Sequence, residues 1–218
     1  MTYYLQTIMV LSLQLLPVIT GLWRRKWLDA AGKQMLVVAA IGFLTELVAT
    51  YAAIAFNNNL PVYNIASLIM AMAVIRYFAC CLEYLRSTDM ELFLLIATPV
   101  CWWVTGYWGT AEHSLNVLFQ NYEGILTMVL SVLLIERLIT ARQLNRLSGN
   151  PHFWFALLLL LNWSITLVTW NVYDELSTTD PETSPAIDQA LTLFSALSNI
   201  AFAMVFAGYS RLRYAFDR

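Results

Sequence analysis

The chain has 218 residues, 60% of them apolar and only 12% charged, with a formal net charge of −2. A water-facing domain carries about 25% charged residues, so a soluble globular protein is excluded and an integral membrane protein is expected. The mean hydropathy of +0.63 agrees, and the length suits one transmembrane domain over residues 1–218 without a second, soluble one.

A helix needs about 20 mainly apolar residues to cross hydrocarbon. Seven segments meet or approach this: Tyr4–Leu22, Met35–Phe56, Pro61–Leu85, Leu92–Trp108, Leu115–Ile135, Phe153–Val172 and Ala186–Leu212. The first lacks a basic leader, and its positive cluster follows the apolar run, so it reads as a membrane helix and not as a cleaved signal. Connections are short except an exposed loop expected from Asp174 to Pro185, which holds Pro181 and Pro185.

The basic residues set the orientation. Arg24, Arg25, Lys26 and Lys33 follow the first segment, Arg86 the third, and Arg137, Arg142 and Arg146 the fifth, while Arg211, Arg213 and Arg218 end or follow the seventh. Arg76 is the exception among 12 Lys and Arg. The opposite loops hold no Lys or Arg, and the last is acidic (Asp174, Glu175, Asp180, Glu182, Asp188). The positive-inside rule then predicts an all-α, seven-transmembrane-helix bundle with the N-terminus outside and the C-terminus cytoplasmic. Interfacial aromatics match these ends: Tyr3, Tyr4, Trp108, Trp170 and Tyr173 outside, Trp23, Trp27, Tyr84, Trp154 and Tyr214 inside. Asn64 precedes Arg86 much as Asp188 precedes Arg211, a faint sign of a 3+1+3 pseudo-repeat joined by the fourth helix. Cys80, Cys81 and Cys101 lie in apolar segments without metal-ligand spacing and read as small buried residues.

Polar residues recur at helical spacing on four segments. They are Glu46, Thr50, Ala53 and Asn57; Asn116, Gln120, Glu123, Thr127 and Ser131; Asn162, Thr166, Thr169 and Tyr173; and Asp188, Thr192, Ser195 and Asn199. Lipid cannot satisfy such groups, so the stripes should converge on an outward-opening pocket. For the Ser and Thr positions alone, ordinary interhelical hydrogen bonding is the better explanation of the pattern. Glu46 lies roughly 16 Å below Asn57, Arg76 roughly 22 Å below Pro61 and Glu123 roughly 12 Å below the outer end of its helix, at a rise of 1.5 Å per residue. A charged floor of Glu46, Arg76 and Glu123 is therefore within reach, with Asn57, Asn59, Tyr63 and Asn64 at the rim. Arg76 stands half a turn away from the Asn64–Ser67 face, which requires the third helix to be central. Glu83 with Arg86, and Glu136 with Arg137, are expected as interfacial pairs.

Several chemistries lack the residues they need. His113 and His152 lie at opposite ends of the bundle, which leaves a haem or intramembrane zinc site unsupported and no cofactor or metal expected. The seventh segment has no Lys for a retinal Schiff base, and the sequon Asn162-Trp163-Ser164 is inside a helix. Glu46 or Glu123 could serve as a base, but nothing specific marks an enzyme and no catalytic residue is assigned. No nucleic-acid-binding stripe is present.

Thr45-Glu46-Leu47, followed by Asn59-Leu60-Pro61-Val62-Tyr63-Asn64, resembles a group of uncharacterised bacterial seven-helix membrane proteins, in which a histidine often stands at the position of Asn64. The resemblance implies a multi-pass protein of the bacterial inner membrane and carries no activity. The expected function is a sensor or receptor-like module acting through a protein partner at the basic cytoplasmic loops. Its small-molecule or lipid-headgroup ligand would be held by Glu46, Thr50, Asn57, Asn59, Tyr63, Asn64, Arg76, Gln120, Glu123, Asn162 and Asn199. A small solute or proton-coupled transporter is the alternative, followed by a lipid-modifying enzyme or a structural subunit.

Overall fold

The computed structural model describes the backbone of residues 2–109, 116–140, 144–179 and 184–217, and the side chains of residues 7–106, 116–140, 147–169 and 189–212. Among the described residues the chain is all-helical: α1 (Thr2–Trp23), α2 (Ala30–Phe56), α3 (Leu60–Cys81), α4 (Glu83–Ser87), α5 (Met90–Gly109), α6 (Val117–Thr140), α7 (Pro151–Thr179) and α8 (Ser184–Asp217). The side chains of Tyr3, Tyr4, Trp108, Trp170, Tyr173, Asp188 and Tyr214 lie outside the described residues, as do His113, Arg142, Arg146, Arg213 and Arg218.

Local chemistry sets the helix ends. Asp29 accepts a hydrogen bond from the Gly32 amide at 2.7 Å and caps α2, satisfying one of the orphan donors of a helix start. The helix therefore begins at Ala30, five residues before the apolar run at Met35. It ends at Asn57, whose φ of 52° is left-handed, a conformation Asn tolerates at a helix C-terminus. Asn58 then accepts from the Leu60 amide at 3.1 Å, and Pro61 falls in the first turn of α3, where no intrahelical donor is lost.

Two expectations are corrected. The third helix does not run on to Leu85: Leu82 is extended, with φ −108° and ψ 93°, and splits it into α3 and the five-residue α4. The Arg137 guanidinium donates to the Cys81 carbonyl at this break, at 3.2 Å. The long loop from Asp174 is also absent, because α7 continues to Thr179 and α8 begins at Ser184. Helical hydrogen bonding does not stop where the apolar residues do, and Pro185 sits in the first turn of α8, where it is tolerated.

Four helical stretches are long and apolar enough to cross a membrane: Ala30–Phe56, Leu60–Cys81, Pro151–Thr169 and Gln189–Leu212. Thr7–Trp23 and Met90–Gly106 are shorter apolar helices. The exterior is apolar as well. Val37, Leu44, Val48, Tyr51 and Ile54 on α2 are exposed, as are Phe93, Ile96, Val100 and Trp103 on α5. Soluble monomers rarely expose contiguous apolar surface of this kind, so the fold is consistent with a membrane protein.

Neighbouring helices pack in the cyclic order α1, α2, α3, α6, α7, α8 and back to α1, while α5 lies against α3 and α6. The core is aromatic at one end: Tyr77, Phe78, Phe155, Phe206 and Tyr209 are fully buried, with Phe155 and Phe206 ring centroids 4.9 Å apart. This aromatic layer brings together the end of α3, the start of α7 and the end of α8.

Candidate ligand cavity

Three adjoining cavities run along one face of α2. The first, about 170 Å³, is lined by Met35, Val38 and Gly42 of that helix, with Gln14, Asn162, Trp163, Asn199 and Phe202 around it. The second, about 220 Å³, shares Gln14, Gly42, Met70 and Trp163 with the first and adds Glu46, Tyr63, Ser67, Gln120 and Glu123. The third, about 200 Å³, shares Glu46 and Tyr63 with the second and is bounded by Thr7, Thr50, Ala53 and Asn59. Met35, Val38, Gly42, Glu46, Thr50 and Ala53 are three or four residues apart in succession, and that spacing is what puts them on one helix face.

Two carboxyls meet in the second cavity. Glu46 accepts from the Tyr63 hydroxyl at 3.1 Å. Glu123, on α6, is 2% exposed, and its Oε1 is buried without a hydrogen-bond partner. Gln14 Oε1 is a second buried acceptor with no partner. Among the described residues no Lys, Arg or His lines any of the three cavities. Carboxyls without a neighbouring cation in a low-dielectric site are costly, and each orphaned acceptor adds to that cost.

Of the residues expected at the site, Glu46, Thr50, Asn59, Tyr63, Gln120, Glu123, Asn162 and Asn199 line these adjoining cavities. Arg76 does not. Its guanidinium is paired with Glu91 at the start of α5, at 2.6 Å, and its side chain is 58% exposed. The charged floor of Glu46, Arg76 and Glu123 is therefore not formed, because Arg76 leaves α3 on the side of α5. Asn57 is exposed and serves as the left-handed end of α2.

Asn64 belongs to a different set of contacts. Its side-chain oxygen accepts from the Asn116 amide at 2.9 Å, and its carbonyl accepts from Trp102 Nε1 at 2.7 Å. Asn116 in turn donates to Thr105 Oγ1 at 3.0 Å. Asn64 thus ties α3 to α5 and α6. Glu83 likewise pairs with Arg137 at 3.7 Å, and the expected Glu83–Arg86 pair is replaced. Many Ser and Thr hydroxyls, such as Thr45, Ser131 and Ser164, bond to the carbonyl one turn back, which accounts for them without a ligand.

A polar cluster at the other end of α2 was missed. Asp29 Oδ2 lies 3.0 Å from His152 Nε2, and the Tyr209 hydroxyl lies 3.1 Å from the same nitrogen. Burial opposes ionisation of Asp29, but the bond and charge of His152, the Gly32 amide and the Tyr209 hydroxyl outweigh it and hold the carboxyl below its ordinary range. A cavity of about 300 Å³ adjoins this cluster, lined by Asp29, Cys80, Cys81, Leu134, Asn150 and His152. Gly32 is required here, since a Cβ would lie 2.7 Å from the Tyr209 hydroxyl. The sequence held a usable sign of the cluster's start: Asp29 is followed three residues later by Gly32 at the opening of a helix. The partner His152 is 123 residues away and carries no such mark. Gln14 and Trp163 were missed for the same reason, each being a lone polar or aromatic residue in an apolar run.

Among the described residues no group of His, Cys, Asp and Glu is arranged to hold a metal ion. No family model matches the chain, and neither a curated protein nor a solved structure matches it.

Proposed function

We propose that the chain is a multi-pass, seven-helix protein of the bacterial cytoplasmic membrane, and that its cavity binds a small molecule or a lipid headgroup as a sensor or receptor-like module. The orientation rests on the basic residues: with the N-terminus outside, Arg24, Arg25, Lys26, Lys33, Arg86 and Arg137 fall on the cytoplasmic side, and Asn59 and the Glu46 cavity open toward the exterior. The bacterial assignment rests on the resemblance carried by Glu46 and the Asn59–Asn64 turn.

The observation that carries the binding reading is the orphaned carboxyl of Glu123 beside Glu46 in a cavity of about 220 Å³. A fold gains nothing from such a group, whereas a ligand donor at that position satisfies it. Signal would pass to a protein partner on the basic loops.

A thermal-shift screen of small solutes and lipid headgroups on the purified protein tests this. Stabilisation that Glu46→Gln removes is expected. A shift unchanged in Glu46→Gln, or none across the panel, refutes the reading. The orientation is checked by membrane-impermeant maleimide, which should label Asn59→Cys from outside the cell and Lys26→Cys only after permeabilisation.

A second reading, a small transporter, is favoured by the cavity beside Asp29 and His152. It lies at the opposite end of α2 from Asn59, and the buried layer of Tyr77, Phe155, Phe206 and Tyr209 separates it from the Glu46 cavity. Two cavities divided by a packed layer suit alternating access. The cyclic order of α1–α3 with α6–α8, and α5 apart, is also what a 3+1+3 repeat would produce. Flux in proteoliposomes that Glu46→Gln abolishes would favour transport over sensing.

A further inference from the structure

We propose that the ligand of the Glu46–Glu123 cavity is an organic cation carrying an ammonium group. This rests on the binding reading above and goes beyond it by naming the chemical class.

The charge balance points to it. With Arg76 engaged by Glu91 on the far side of α3, the described lining of the cavity holds two carboxyls and no basic side chain. Glu123 Oε1 and Gln14 Oε1 are both buried and lack a partner. Glu46 already takes the Tyr63 hydroxyl and a Gln14 side-chain hydrogen bond, so neither is left to serve the orphaned Glu123 oxygen. An ammonium supplies the missing positive charge, and a primary ammonium such as that of ethanolamine also supplies N–H donors, whose charge-assisted bonds to carboxylates are the stronger kind. An anion or carboxylate ligand would meet two carboxyls and the orphaned Gln14 oxygen and find no cation.

The walls favour an organic cation over a bare metal ion. Trp163 and Tyr63 line the same cavity, and aromatic faces attract ammonium groups. Ca²⁺ demands six to eight oxygen ligands and Mg²⁺ an octahedron, and among the described residues no metal-ligating group of three exists. The first cavity, which shares Gln14 and Trp163 with the second, is lined mainly by apolar groups such as Met35, Val38 and Phe202. It gives the carbon part of such a ligand a place to lie. A free amine and the ammonium of a lipid headgroup share this chemistry.

The test uses the full chain in nanodiscs of phosphatidylglycerol, with choline and ethanolamine as probes. The controls are acetate, sodium ion, and the uncharged choline analogue in which a tert-butyl group replaces the trimethylammonium. Saturable thermal stabilisation by an ammonium probe, absent for the uncharged analogue, is expected. Glu123→Gln and Glu46→Gln should each weaken it at least about tenfold, and Arg76→Gln should leave it unchanged. Nanodiscs containing phosphatidylethanolamine or phosphatidylcholine distinguish the sources. If they stabilise the protein where free choline and ethanolamine do not, and Glu123→Gln removes the effect, the ammonium belongs to a lipid. If the uncharged analogue or acetate stabilises the protein through Glu46, the cation proposal fails while the binding reading stands. An equal shift from sodium ion alone overturns it as well. If no probe and no lipid shifts the protein, the cation proposal fails, and only the broader solute screen then decides the binding reading.

Discussion

Replacing Glu123 by Met should stabilise the protein while ending ligand binding. Glu123 is 2% exposed, its Oε1 has no partner, and among the described residues no cation lines the cavity it faces. A buried acceptor left unsatisfied costs about 1–3 kcal/mol. Methionine removes both oxygens and, though somewhat bulkier, is flexible enough to extend into the adjoining cavity without strain. The site is thus relieved of its penalty without being overpacked. For a chain of this length 1 kcal/mol corresponds to roughly 2–4 °C in Tm, so a rise of roughly 2–12 °C is expected. Eight tryptophans allow this to be followed by intrinsic fluorescence in mild detergent. Glu123→Gln is the control: it keeps a polar group in the same position and should recover little of the gain. A fall in Tm for Glu123→Met, with helical content unchanged, would refute the reasoning, because it would mean that the carboxyl is satisfied and serves packing.

Three further outcomes follow from other contacts. Gly124→Ala would put a Cβ 2.8 Å from Leu167 Cγ and 2.9 Å from Trp163 Cε3, so α6 and α7 must part; a loss of about 1–3 kcal/mol should appear as a lower Tm in the same assay. Asn64→Ala removes the acceptor of the Asn116 amide and should cost about 1–3 kcal/mol while ligand affinity stays unchanged, measured by titration in the thermal-shift format. Asp29→Asn keeps a good cap for α2 but loses the charged pairing with His152, at a cost of about 1 kcal/mol after screening at this partly exposed site. Because the folded carboxyl is held below its unfolded value of about 3.9, its contribution is complete above that pH and drains away below it. The Tm gap between the wild type and Asp29→Asn should therefore be full at about pH 6 and close as the pH is lowered through about 4. A gap that stays constant down to about pH 3 would show that the charge of Asp29 contributes nothing.

What could be read from the sequence was whatever a single helix determines by itself. Glu46, Thr50 and Ala53 share a face because 3.6 residues make a turn, and the structure gives them a common cavity. The departure of Arg76 from the Asn64–Ser67 face was visible in the same way, as half a turn of rotation. Its destination was not. Glu91 stands 15 residues further on, and the extended Leu82 between them redirects the chain in a way that no Gly or Pro announces. Cross-helix partners were the least legible. Asn64 looked like a rim residue because it is polar and near an exposed turn, yet its oxygen is consumed by an amide 52 residues away. Asp29 and His152 each looked unremarkable alone, and only closure of the bundle, which brings the starts of α2 and α7 together, makes them a pair. Depth in the bilayer is set by residue number and could be computed in advance, whereas azimuth relative to a neighbouring helix depends on packing that no local pattern encodes.

The helix that borders all three cavities, α2, begins at Asp29, its cap, so one rod connects the two polar regions. Its 27 residues span about 40 Å, with Glu46 and Asp29 separated by 17 residues, or about 26 Å. A straight helix of this length behaves as a lever: a tilt of about 3° around its middle moves each end by about 1 Å. The Asp29 end has little tolerance for that. It is held by contacts of 2.7 Å to the Gly32 amide and 3.0 Å to His152, and Tyr209 occupies the space next to Gly32 that any larger residue would fill. A displacement of about 1 Å between α2 and α7 would carry the ionic contact beyond hydrogen-bonding range. Filling a cavity at one end of this rod and breaking a charged pair at the other are thereby mechanically linked, with no moving part between them except the helix itself.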